Sequence, residues 1–366
     1  VRSYDLIVVG AGIIGAHCAD LAVASGRKVA IVEAGVVGGG ATAAAMGHLV
    51  AMDEDPAELA LSRYSLRLWD GYEDLPQAEF RRCGTLWVAA SEAEYDAIPA
   101  RIARLGQVGV RAERVDPAAL RELEPTLAHD LCGGMRVRDE AVVYPPRIAG
   151  WLVERCVAAG ARLYAGRQAL RLHPDGVQLD RGTRLHGPVL LATGGATSAL
   201  VPELRMHQRR GHLVVTDRHP GMLHHQVLEL GYADSAHGDA ETSVAFNVQP
   251  RPTGQLLVGS SRERGATGRE INPVVLRRML QRAFRFLPAL RQLQAIRAWT
   301  GQRPSTPDGR PYIGAVPGRR DVWVAAGHEG LGVTTATGTA RLLFDLIDGH
   351  RPALDPAAYD PARSVA

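Results

Sequence analysis

Cysteine is scarce in this chain of 366 residues. Cys18, Cys83, Cys132 and Cys156 are scattered, and no two stand in a Cys-x-x-Cys pair. That excludes the usual zinc and iron–sulfur ligand sets. Four isolated thiols read as reduced, mostly buried side chains of a cytoplasmic protein. Lysine is scarcer still. Lys28 is the only one, so nearly all of the 42 basic residues are arginine, and a single arginine carries little functional signal by itself. An excess of one charge is also lacking. With 39 acidic residues the net charge is +3, too balanced to point to nucleic acid or an anionic membrane as partner. No run approaches the roughly eighteen apolar residues that a membrane-spanning helix needs. Asp5 precedes the first apolar run and no small-residue cleavage site follows it, so that run does not read as a secretion signal. No repeat of 20–50 residues is visible. The composition, 46% apolar and 22% charged, is that of one large or two interleaved globular domains.

The first thirty-odd residues carry the strongest pattern. Leu6-Ile7-Val8-Val9 is followed by Gly10-Ala11-Gly12-Ile13-Ile14-Gly15, and a second apolar run, Val29-Ala30-Ile31-Val32, closes on Glu33. Strand, glycine turn, helix, strand and terminal acid are the layout of a dinucleotide-binding βαβ unit. Gly10 permits the tight turn, Gly12 lets backbone approach a pyrophosphate, and Gly15 lets helix and strand pack closely. The helix start, with Ile14 in its first turn, points N–H groups and a positive dipole end at the phosphates. Glu33, with Ala34 after it, stands where a carboxylate bonds a ribose 2′-OH and repels a 2′-phosphate. Gly40-Ala41-Thr42, inside a run of small residues ending in Met46-Gly47-His48, reads as an ordered helix start that lets a second stretch of backbone near the nucleotide.

Further along, residues 56–74, 92–105, 117–124, 145–160, 273–286 and 333–347 read as helices. A short strand pair is expected within 162–190. A buried strand then ends in Ala192-Thr193-Gly194, and strands follow at 212–216, 226–230, 244–249 and 255–260. Val322–Ala326 runs as a strand into Gly327-His328-Glu329-Gly330-Leu331-Gly332. Sheet segments of the nucleotide domain thus come from the start, middle and end of the chain. The fold expected is α/β: a Rossmann-type, doubly wound domain (1–52, 139–207 and 298–366) with an inserted antiparallel-sheet α+β substrate domain (53–138 and 208–297).

Four glycine-rich segments returning to one nucleotide suggest FAD stretched over the sheet. Together with Arg303-Pro304 through Pro307-Asp308-Gly309-Arg310-Pro311 and the segment from Gly327 to Gly332, the chain resembles the D-amino-acid-oxidase superfamily of FAD-dependent oxidoreductases. That group holds glycine and sarcosine oxidases and bacterial D-amino-acid and D-hydroxyproline dehydrogenases. The resemblance covers nearly the whole chain. It implies that the helix after Gly330-Leu331-Gly332 aims its N-terminus at the flavin pyrimidine. It also implies that Arg303 grips the substrate carboxylate, for which a guanidinium fork is suited, with hydride passing from the substrate Cα to flavin N5.

Three positions depart from the glycine-oxidase pattern. Asn247 stands where a tyrosine is expected, with Gln249 on the same strand face and Val244, Phe246 and Val248 on the other. That amide face reads equally as the lining of a polar pocket or as a solvent-facing side. Glu329 stands where an arginine is expected. His48 replaces an apolar residue, either as a pocket group or as a satisfied core histidine. These features look most like the D-hydroxyproline and related D-amino-acid dehydrogenases. A glycine- or sarcosine-type oxidase, or the flavin subunit of a hetero-oligomeric dehydrogenase, is the alternative. Oxygen, a quinone and a partner subunit all stay open as electron acceptor.

Overall fold

A computed structural model describes residues 2–52, 55–231 and 241–364. Its centre is a six-stranded sheet in the order Tyr312–Ala315, Val322–Ala326, Val189–Leu191, Leu6–Val9, Val29–Glu33, Arg162–Ala165. All pairs are parallel except the first. Strands covered on both faces read as unbroken apolar runs, and period-two alternation divides their side chains between two cores. Leu6, Val8 and Ile31 face a helical layer in which Ile13–Ala24 packs between Pro145–Ala158 and Ala336–Ile347. Ile7, Val9, Ala30 and Val32 face Val177, Leu179 and Leu185 of a small four-stranded sheet. The strand pair expected within 162–190 therefore divides. Arg162–Ala165 extends the parallel sheet beside Val29–Glu33, and the remainder builds the small sheet.

The second large sheet has eight strands in the order Ala295–Ser305, His207–Arg218, Gln255–Arg264, Thr242–Pro250, Gln226–Glu229, Thr85–Ala89, Gly133–Val137, Ala112–Val115. It is antiparallel except where Gln226–Glu229 runs parallel to Thr85–Ala89. Helix Pro273–Phe286 covers one face. Asn272 caps it by accepting from the Val274 and Val275 N–H groups, and Pro273 fits the first position because no N–H is needed there. Met279, Ala283 and Phe286 pack on Phe246 and Val248, with the Phe246 and Phe286 rings stacked at 4.7 Å. Burial of each of the larger of these side chains contributes about 1.5–3 kcal/mol.

Several boundaries differ from the sequence reading. The helix expected over 56–74 ends at Trp69, and the one over 92–105 is broken into Glu92–Asp96 and Ile98–Gln107, where Pro99 opens the second piece. Strand Ala295–Ser305 straddles the expected 297/298 boundary, so Arg303 belongs to the second sheet. The helix expected at 333–347 starts only at Ala336. Val333, Thr334 and Thr335 are β-branched and disfavour helix, and Thr335 Oγ1 donates back to the Leu331 carbonyl. The helix N-terminus is thus set back from Gly332 by a turn. Among the described residues no helix is long and apolar enough to cross a membrane.

Candidate active site

The C-terminal ends of four neighbouring parallel strands open into a cleft of about 430 Å³. This is where open α/β sheets bind nucleotides. Gly10 has φ +102°, and a Cβ there would stand 2.4 Å from the Ala192 carbonyl oxygen. Gly12 caps the first helix with no side chain of its own; instead Thr42 Oγ1 accepts from the Ile13 N–H at 2.9 Å. Ile14 follows in the first turn and lines the cleft, and its N–H has no acceptor within the helix. Glu33 Oε2 accepts from the Ala11 N–H and Oε1 from the Gly35 N–H, each at 2.7 Å. Each carboxylate oxygen keeps a second lone pair for a ribose hydroxyl. Bare backbone, a helix N-terminus and a placed carboxylate fit a pyrophosphate and an adjoining ribose.

A smaller chamber of about 110 Å³ adjoins this cleft, and Ala41, Ala45, Gln302, Glu329, Gly330 and Val333 line both. Four strands of the second sheet form one wall. Arg303 reaches across Gly211, where a Cβ would stand 2.1 Å from its Nη1, and donates from that nitrogen to the Ser261 carbonyl at 2.8 Å. Asn247 is buried, donates to Ser260 Oγ at 3.3 Å, and leaves its own Oδ1 without a partner among the described residues. His48 forms part of the opposite wall. Its carbonyl accepts from Thr334 Oγ1, while its Nε2 is buried without a hydrogen bond among the described residues. Burial lowers its pKa to about 4, so the ring is neutral at pH 7. It can exchange one hydrogen bond with a ligand but is a poor acceptor of an ammonium proton.

Glu329 occupies the junction of the two cavities with φ 45°. Its N–H donates to the Pro304 carbonyl, and its carboxylate accepts from Arg209 Nη1 and Arg262 Nε, each at 3.0 Å.

Of the residues singled out in the sequence, Gly10, Gly12, Ile14, Glu33, Ala34, Gly40, Ala41, Thr42, Ala192, Thr193, Gly194, His328, Glu329, Gly330 and Gly332 line the cleft. Arg303, His48, Asn247 and Gly47 line the chamber. Three lie elsewhere. Gly15 packs beneath the turn, where a Cβ would stand 1.9 Å from the Gly10 carbonyl oxygen. Leu331 packs against a hydrophobic cluster that includes Leu59 and Trp87. Gln249 is buried two residues beyond Asn247 and does not reach the chamber. The amide face is accordingly buried, and only Asn247 of the pair meets the cavity. His328 faces the cleft, with its Nε2 2.9 Å from Thr339 Oγ1; burial lowers its pKa to about 3 and keeps it neutral. Sequence reasoning missed Gly211, Ser260 and Gly301. A glycine inside a strand marks close approach of another group, and both glycines carried that signal.

The nucleotide cleft over parallel strand ends, joined to a small polar chamber on an antiparallel sheet, defines a two-site nucleotide-dependent enzyme. The family model for FAD dependent oxidoreductases matches residues 5–346. The chain belongs to that family, and FAD is its cofactor. It is similar to the glycine oxidase of Geobacillus kaustophilus, 27% identical over 380 residues that cover 99% of this chain and 97% of that protein. The crystal structure of glycine oxidase from that organism aligns with a TM-score of 0.88 at 26% identity, over 99% of both chains. The hydrogen cyanide synthase subunit HcnC of Pseudomonas aeruginosa is 26% identical over 420 residues, covering 99% of this chain and 96% of that one. The L-proline dehydrogenase of P. horikoshii shares the fold, with a TM-score of 0.89 at 21% identity over 99% and 98% of the chains.

Proposed function

We propose that this enzyme oxidises the C–N bond of a small amino or imino acid, preferring a D-amino acid or a cyclic D-imino acid such as 4-hydroxy-D-proline. The observation that carries the reading is the Arg303 guanidinium, tied by one nitrogen to Ser261 inside a chamber that shares a wall with the FAD cleft. A guanidinium fork pairs with a carboxylate at two points, fixing orientation as well as position. Bound FAD supplies the two-electron acceptor. The chain's own work is positioning and electrostatics. Arg303 binds the carboxylate, and His48 and Asn247 offer polar partners to the amine or to a ring hydroxyl. The chamber's size favours small substrates.

Similarity to glycine oxidase favours glycine as the competing substrate. Similarity to HcnC, by its name a subunit, favours a heteromeric assembly with a partner as electron acceptor. A panel of glycine, sarcosine, D-alanine, D-proline and 4-hydroxy-D-proline, assayed with a dye acceptor and with oxygen, tests the reading. Turnover of a D-imino acid above glycine supports it. Glycine as best substrate overturns the preference, and no turnover of any carboxylate-bearing amine overturns the proposal.

A further inference from the structure

Arg303 is itself held, and the groups that hold it form a buried chain. Its guanidinium lies over Gly211 between strands His207–Arg218 and Gln255–Arg264. The ladder between those two strands shifts register between Arg210 and Val214. Side chains take over there what the sheet would otherwise satisfy. The Ser261 carbonyl accepts from Arg303 Nη1. The His212 N–H donates to Ser261 Oγ at 2.9 Å, and His212 Nδ1 lies 2.9 Å from the same oxygen. On the far side of the ring the Asn272 N–H donates to His212 Nε2 at 2.9 Å. A backbone N–H can only donate, so Nε2 is the lone-pair nitrogen and Nδ1 carries the proton. His212 is thereby fixed as one neutral tautomer. Burial lowers its pKa, with Arg210 and Arg303 adding to that effect against the pull of Glu263. Asn272 Nδ2 then donates to Glu263 Oε2 at 2.8 Å, and Glu263 is gripped by Arg210 through Nε at 2.9 Å and Nη2 at 3.2 Å.

We infer that His212 is a positioning residue for the carboxylate anchor. Its Nδ1–H and backbone N–H together fix Ser261, and Ser261 sets the plane in which Arg303 presents its guanidinium to the chamber. The inference rests on the reading of Arg303 as that anchor. A second-layer imidazole with both nitrogens engaged and no exposure to solvent orients its neighbour as second-layer partners orient metal ligands. A misplaced anchor weakens carboxylate binding before it alters anything at the cofactor.

The test uses the FAD-loaded enzyme and four variants: His212→Leu, His212→Asn, Ser261→Ala and Arg303→Met. KM and kcat are measured on the best substrate of the panel. The Kd of acetate and of glycolate is read from the flavin absorbance difference, alongside FAD content and melting temperature. His212→Leu and Ser261→Ala should raise KM and both Kd values about tenfold with a smaller change in kcat. His212→Asn, whose amide nitrogen can stand in for Nδ1–H, should recover most of that loss. Arg303→Met should abolish carboxylate binding. If His212→Leu does not accumulate with FAD, Ser261→Ala decides, since it removes the acceptor without adding volume. Unchanged KM and Kd in FAD-loaded His212→Leu or Ser261→Ala, with Arg303→Met impaired, would overturn the positioning role alone. A His212→Asn variant no better than His212→Leu would assign the effect to packing and overturn it too. Unchanged binding in Arg303→Met would instead overturn the anchor reading.

Discussion

Replacing Gly211 with alanine adds one methyl group at a crowded point of the chamber. An ideal Cβ there would stand 2.1 Å from Arg303 Nη1 and 2.6 Å from both Cζ and Nη2. No side chain tolerates those separations, so the guanidinium must lift away from the strand. Gly211 has no left-handed φ, so alanine brings no backbone strain and the sheet should persist. The lost contact is the charged hydrogen bond from Arg303 Nη1 to the Ser261 carbonyl, together with the orientation it fixes. A hydrogen bond to a charged group contributes about 1.5–3 kcal/mol, and about 1.4 kcal/mol is a factor of ten in rate. Gly211→Ala should therefore lower kcat/KM by roughly tenfold to a hundredfold. FAD content and melting temperature should stay near wild type, because the cleft residues are untouched. Steady-state kinetics with a dye acceptor, beside the flavin spectrum of the purified variant, give both readouts. Wild-type kcat/KM in a flavin-loaded variant would refute the placement of Arg303 over this strand.

Glu33→Ala removes the acceptor for the Ala11 and Gly35 N–H groups and a partner for the ribose. FAD affinity should fall by roughly tenfold to a hundredfold, and unchanged retention on dialysis would exclude a ribose contact. Asn247→Ala should cut kcat/KM for 4-hydroxy-D-proline more than for D-proline, because a site built to bond a hydroxyl leaves polar groups unpaired when the hydroxyl is missing; equal losses would remove that role. The pH dependence of stability has a calculable sign. Burial pushes His17 and His328 down to about 3 and His48 to about 4. The unfolded chain thus binds more protons between about pH 6.5 and 3, and stability should fall as pH falls through that window. Glu140, raised to about 7 by burial, works in the opposite sense between about pH 4.5 and 7. Glu140→Gln should accordingly steepen the acid-side loss in urea melts, and an unchanged slope would exclude Glu140 as the opposing group.

The nucleotide half of the molecule was legible because its determinants are local. Strand, turn and helix from Leu6 to Ala24 lie in one continuous stretch, although the close approach at Gly10 is to Ala192, at the end of another strand. The chamber was half legible. Arg303 and Asn247 could be singled out by their place in a family pattern. That Gln249 falls short of the cavity depends on where strand Thr242–Pro250 meets the cavity rim, and alternation alone does not encode that. Gly211 and Ser261 matter only because strands more than forty residues apart lie side by side, with Arg303 crossing between them. The late start of helix Ala336–Ile347 was written in Val333, Thr334 and Thr335, whose β-branching weighs against the helical pattern around them.

The wall common to the two cavities has a thermodynamic consequence. Glu329, Gly330 and Val333 line both, so a ligand in the chamber and a cofactor in the cleft meet the same residues. Occupancy of one site then changes the free energy of occupancy at the other, and that coupling is reciprocal. A carboxylate ligand that packs against this wall should raise the affinity for the cofactor by the same factor by which the cofactor tightens the ligand. In a cell, scarcity of substrate and scarcity of FAD would act on this enzyme as a single variable: the fraction of molecules that hold both.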